Sequence, residues 1–234
     1  MKNRTLSVDG LTFEVRESER RTTLEIVVDR DGSLVLATPL GVPEEDLEAF
    51  VEEHLVWVYT KLEEKQAQVR PRAPKEYIPG EGFFYLGRSY RLKVVNGGNE
   101  TPSLRLYRGW FELRQDVVPE GREQFIEWYT AHLAPVLERT VARFSERVAT
   151  APEELHVQDM GYRWGSTDRR GHLYFHWRVA MLPFRMIEYV VAHELTHLVE
   201  REHTEQFWLR LERLVPDHTE RRRWLEEEGA RYDL

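Results

Sequence analysis

Over the first 40 residues the apolar positions fall in short runs rich in Val, Ile, Leu and Thr. Thr22 to Val28 and Ser33 to Thr38 flank Asp29-Arg30-Asp31-Gly32, a turn signal, and read as a β-hairpin. Leu6 to Val8 and Leu11 to Val15 around Asp9-Gly10 read as an earlier one. At Pro43 the period changes. Leu47, Phe50, Val51, Leu55, Val58 and Leu62 recur at helical spacing, and Glu44, Glu45 and Asp46 occupy the first turn, where the helix dipole favours acids. This predicts a helix to about Gln68. Val69 to Pro79 holds three prolines and reads as a linker.

Four short strands follow, Phe83 to Leu86, Ser89 to Val95, Ser103 to Tyr107 and Trp110 to Leu113, punctuated by Gly87, Asn96-Gly97-Gly98 and Gly109. A long helix is predicted from Pro119 to about Thr150, with a bend near Pro135. Strands near Leu155 to Gln158 and His172 to Trp177 precede an all-helical end. The fold class is α+β: a β-rich N-terminal region with a long helix (residues 1–78), then a helical core with a small sheet (79–234).

Composition narrows the function classes. The chain of 234 residues is 41% hydrophobic and 12% aromatic, enough for a buried core. Its net charge of -8 argues against a general grip on nucleic acid, and Arg221-Arg222-Arg223 and Arg169-Arg170 are too short to reverse that sign. There is no cysteine, which excludes disulfides and thiolate metal sites. Met1 to Gly10 lacks an apolar signal core, and no apolar run approaches the roughly 20 residues that span a bilayer. The expectation is a soluble, cytoplasmic protein with no membrane partner. The oligomeric state is open.

The chemistry sits in Tyr189-Val-Val-Ala-His193-Glu194-Leu-Thr-His197. Histidines four apart lie one turn apart on a helix face and can share one metal ion. Glu194, about 100 degrees round from His193, can reach a water on that metal without ligating it. This is the H-E-x-x-H logic of zinc peptidases. Pro183 marks a helix start, and Ile187, Val191, Leu195 and Leu198 form a buried stripe behind the histidines. The plain alternative is two surface histidines on an ordinary amphipathic helix.

His203, six residues after His197, is the best third ligand, at the spacing of the pattern H-E-x-x-H-x-x-G-x-x-H. That pattern turns the chain on a glycine, whereas this chain has Glu200, so the turn must be made differently. A cap at Thr204 would end the first helix near Arg201 or Glu202 and put His203 at the corner. Glu200 is the rival ligand, weaker because it would point past the shared metal. Three protein ligands leave the fourth position to water, the mark of a catalytic zinc, with Glu194 as its base. Tyr189, His176, Arg178 and Arg163 are candidates for substrate or oxyanion contacts. His172, Tyr174 and His176 alternate with Leu173, Phe175 and Trp177. An edge strand here could take an extended peptide by strand addition, or could simply pack on the helix.

Further segments carry a resemblance. Arg20-Arg21-Thr22-Thr23-Leu24-Glu25-Ile26 with Asp31-Gly32, Phe84-Tyr85-Leu86-Gly87-Arg88-Ser89-Tyr90-Arg91-Leu92, Arg163-Trp164-Gly165-Ser166, His176-Trp177-Arg178 with Leu182-Pro183, then His193 to His197, His203 and Phe207-Trp208 resemble the YgjP-like metallopeptidase domain family, related to SprT-type zincins. The match runs from about residue 15 to 224. The resemblance implies an α+β zincin-like catalytic domain, one zinc ion on His193, His197 and His203, and Glu194 as acid/base. The chain departs from the family pattern at Thr167 (usually Cys), His176 (usually Asn) and Glu202 (commonly Asn).

The first functional expectation is therefore a zinc-dependent peptidase acting on peptides or proteins. The alternatives are a non-catalytic zinc module that binds a partner, and an SprT-like protease tied to DNA maintenance. Glu194 beside an open metal position favours the first. The acidic net charge gives the last no support.

Overall fold

The computed structural model describes residues 4–19, 21–28, 33–68, 74–98, 100–161 and 163–234. The Asp29-to-Gly32 turn, Arg20 and the start of the 69–79 linker lie outside them. The chain divides into two compact units, Met1–Arg72 and Ala73–Leu234.

In the first unit β1 (Arg4–Val8), β2 (Leu11–Ser18), β3 (Glu25–Val28) and β4 (Leu34–Pro39) form a sheet ordered β1-β2-β4-β3. Both expected strand pairs are antiparallel, and β2 joins them by running parallel to β4. α1 (Glu44–Gln68) lays Leu47, Val51 and Val58, each fully buried, against Phe13 and Leu36.

The second unit begins with residues 74–80, whose Tyr77 ring lies 5.7 Å from Phe83 and 5.9 Å from Phe125. β5 (Gly82–Tyr85), β6 (Arg88–Val95), β7 (Leu104–Tyr107) and β8 (Trp110–Arg114) form a sheet ordered β5-β6-β8-β7, again two hairpins joined by a parallel pair. α2 (Gly121–Val148) follows a 3-10 turn over Gln115–Glu120. The expected start at Pro119 is thus two residues early: this proline sits in the 3-10 turn, where its missing N–H breaks no α-helical bond.

A second small sheet is ordered β10-β11-β9, from β9 (Leu155–Gln158), β10 (Gly165–Thr167) and β11 (Leu173–His176). The sequence pattern gives no sign of β10 and suggests an edge position for the 172–177 strand. β11 is in fact central, antiparallel to β10 and parallel to β9. α3 (Phe184–His197), α4 (Glu205–Leu214) and α5 (His218–Glu228) complete the unit.

The core of this unit is aromatic. Phe83 stacks on Phe125 at 4.0 Å, and Phe111 meets Phe125 and Trp128 edge-on at 5.0 and 4.9 Å. Each such ring contributes about 1.5–3 kcal/mol on burial. The same core takes in Leu173 and Phe175 of β11 and Ile187, Val191 and Leu195 of α3, so the sheet and the helix that carry the candidate site rest on one rigid body.

Candidate metal centre

The site is positioned from Pro183. Its φ of -53° is what the pyrrolidine ring imposes, so α3 begins there with no N–H left over. Its carbonyl accepts from Met186 and Ile187 at 2.8 and 3.2 Å. The Leu86-Gly87 turn clamps the approach, donating to the Ala180 and Met181 carbonyls at 2.8 and 3.0 Å. A Cβ at Gly87 would meet Pro183 Cα at 2.7 Å, and the φ of +79° also requires glycine. From that start α3 buries Met186, Ile187, Val190, Val191 and Leu195 and leaves His193 and His197 half-buried, one turn apart.

The helix stops at His197, four or five residues before the expected end. The Leu198 and Val199 N–H groups bond three residues back, to Leu195 and Thr196, at 3.1 Å each, which tightens the last turn. The Thr204 N–H then bonds to the Glu202 carbonyl at 2.8 Å, a three-residue turn with His203 at its centre. No residue from 198 to 203 has positive φ, so the chain reverses without the glycine. Thr204 caps α4 as expected, its hydroxyl accepting from Phe207 N–H at 3.3 Å. The Glu200 carboxylate pairs with Arg210 at 3.4 Å, and its carbonyl faces His197.

His193 Nε2 lies 3.2 Å from Nε2 of His197 and 3.1 Å from Nε2 of His203. His197 Nδ1 is 3.1 Å from the Glu200 carbonyl, which can only accept, so Nδ1 carries the proton and Nε2 keeps its lone pair. Burial first, then the other two imidazoles, lowers His193 to about 3. Burial likewise lowers His197 and His203. At neutral pH three uncharged imidazoles therefore converge on one point. Tetrahedral donors about 2.0–2.1 Å from a cation stand roughly 3.3–3.4 Å apart, so the spacing fits one divalent metal ion. The Phe207 ring packs 4.6 to 5.0 Å from all three histidines as an apolar floor, and Trp208 stacks on His203 at 5.4 Å.

Glu194, only 6% exposed, turns towards β10. The Thr167 hydroxyl lies 3.0 Å from its Oε2 and 2.9 Å from its backbone carbonyl, so its one proton serves either acceptor. Burial lifts the carboxyl to about 7, against the Thr167 bond and the charge of Arg163. A Cβ at Gly165 would fall 2.8 Å from Glu194 Cγ and 2.9 Å from Oε1, so only glycine leaves room for that side chain. Nothing in the sequence assigns Gly165 and Thr167 a role beyond a motif and a departure from it.

The remaining candidates divide. Tyr189 places its ring 6.0 Å from His193, and burial pushes its phenol to about 12. Arg163 acts on Glu194 through its charge. His176 is fully buried, its Nδ1 accepting from Arg178 N–H at 3.1 Å and its Nε2 3.5 Å from Asp159. The Arg178 guanidinium pairs with Asp233 at 2.8 Å.

Two helix-borne histidines, a third on the following link and a buried glutamate after the first make up the donor arrangement expected of a metallopeptidase. The chain belongs to the YgjP-like metallopeptidase domain family, whose model matches residues 22–228. Membership makes it a peptidase that works with a metal ion on peptides or proteins. The crystal structure of the metallopeptidase zymogen of Pyrococcus abyssi abylysin is similar at 17% identity and a TM-score of 0.37, covering 40% of this chain and 95% of that one. So loose a superposition carries no argument about this chain. No curated protein matches it. Among the described residues, no helix is long and apolar enough to cross a membrane.

Proposed function

We propose that the chain hydrolyses peptide bonds with one zinc ion held by Nε2 of His193, His197 and His203, and with Glu194 as the general base. The observation that supports this most is that Nε2 of His197 and of His203 lie 3.2 and 3.1 Å from Nε2 of His193, on the helix that also carries the buried carboxylate. An all-imidazole set in a chain without cysteine suits zinc, and three ligands leave a fourth position open. Bound there, zinc supplies Lewis acidity, polarising the scissile carbonyl and making water acidic near neutral pH.

The chain's own residues do the rest. Glu194 takes the proton of the attacking water and returns it to the departing amine. Burial that raises the carboxyl makes it basic enough to take the proton and acidic enough to give it back. Thr167 fixes the carboxylate by its hydroxyl. Tyr189, a neutral phenol beside His193, suits the developing oxyanion better than His176 or Arg178, which are engaged with Asp159 and Asp233. β10 is an open sheet edge against α3, and an extended substrate can add to it as a strand.

The test is a mixed peptide library incubated with zinc-loaded protein, with new amino termini counted by mass spectrometry. Cleavage that a chelator stops and zinc restores is the expected result. A fully zinc-loaded protein that cleaves nothing overturns the proposal.

The close fit at Gly165 gives a narrower prediction. Gly165→Ala forces the Glu194 side chain off its position, and a displacement near 1 Å at a catalytic group costs about 100-fold. Zinc content should stay at the wild-type level. A Gly165→Ala variant with wild-type kcat would show that the carboxylate is not used where it lies.

A further inference from the structure

The outer face of the β9–β11 pair gathers a second set of donors. Side chains alternate along strands, so Leu173 and Phe175 point into the core while His172, Tyr174, His156 and Glu154 share the opposite face. The register sets Tyr174 beside His156, and the Leu173 N–H bonds to the Glu154 carbonyl at 2.9 Å. One ligand atom from each of Glu154, His156 and His172 lies within 4.8 Å of the others.

The arrangement is more than one ion pair. His156 Nε2 is 2.9 Å from a Glu154 oxygen, a spacing that a shared cation can take over from the shared proton. His172 is set by Asp168, whose Oδ1 accepts from the His172 backbone N–H at 3.0 Å and whose Oδ2 lies 3.0 Å from His172 Nδ1. The Arg170 N–H and the Tyr174 hydroxyl hold the same carboxylate at 2.8 and 3.3 Å. A carboxylate on Nδ1 fixes the ring and leaves the lone pair on Nε2, the arrangement that orients histidine ligands on metals. His156 stacks on Tyr174 at 5.0 Å, which limits its ring as well. The side chains of Glu154, His156 and His172 are 60%, 39% and 18% exposed, so an ion reaches them from solvent.

We propose that this face is a second metal site: a divalent transition-metal ion of the zinc type bound by His156, His172 and Glu154, with Asp168 as the positioning residue. The donor set, two imidazoles and a carboxylate, selects borderline cations over calcium or magnesium. The ion ties β9 to β11. The site stands independently of the peptidase reading.

Equilibrium dialysis of the full chain against Zn2+ tests it. Wild type should bind two equivalents, His193→Ala one, and His156→Ala/His172→Ala one, the last with peptide cleavage unchanged. Asp168→Asn keeps all three ligands and should weaken the second equivalent about 10–100-fold, a change that a plain surface ion pair would not produce. Circular dichroism confirms that each variant is folded. Zinc stoichiometry at about 100 µM free zinc that His156→Ala/His172→Ala leaves at the wild-type value overturns the proposal.

Discussion

Glu194→Gln should lower kcat by about 10²–10⁴-fold, the usual contribution of a positioned general base, with zinc still bound in full. Glutamine keeps the size of the side chain and an oxygen for the Thr167 hydroxyl, so the change removes the base and little else. The variant also carries a stability signature. Burial raises the carboxyl from its ordinary 4.5 to about 7, so the folded state holds a proton there that the unfolded chain has already released. Stability is therefore lost as pH climbs from about 4.5 to about 7. The glutamine side chain has no such loss. Metal-free Glu194→Gln should melt with the metal-free wild type at pH 4 and above it at pH 8. Comparable kcat in the two proteins would exclude Glu194 as the base, and melting curves that differ equally at both pH values would mean its burial is not felt.

His193→Ala should weaken zinc binding at the catalytic centre. Its Nε2 is the nitrogen measured against both others, so its loss leaves the remaining pair without their common neighbour. If the roughly 10–16 kcal/mol of a tight zinc site is shared among four ligands, one ligand is worth about 2.5–4 kcal/mol. That is about 10²–10³-fold in affinity. His203→Ala should fall short of this, because residue 203 is exposed and water can take its place. Competition against a chromophoric chelator ranks the variants. A His193→Ala protein that holds zinc as tightly as wild type at the catalytic centre would refute the three-histidine assignment.

How legible each part was depended on how local its cause is. α3 could be read because its apolar stripe, Pro183 and both histidines lie within one stretch of helical period. The hairpins could be read from their turns. The parallel pairs β2–β4 and β6–β8 could not, since nothing near Phe13 or Leu92 signals a partner about 20 residues on. β10 is three residues, Gly-Ser-Thr, with no hydrophobic alternation. The roles of Gly165 and Thr167 come only from contact with a side chain 29 and 27 positions away. The end of α3 was misplaced because a Thr cap fixes where α4 begins, not where the previous helix stops. Residues 198 to 203 carry no Gly or Pro to mark that stop.

On the proposed three-histidine site, the three-residue turn at Glu202, His203 and Thr204 would set an order of assembly. Two imidazoles are riveted to a buried helix, whereas the third hangs on the link to α4. An incoming ion would dock on the fixed pair, and residue 203 would close as a latch. Departure would run the other way, with that latch opening first. The lifetime of the loaded protein would then be set by how firmly Trp208 and the Thr204 cap hold one short stretch of backbone shut.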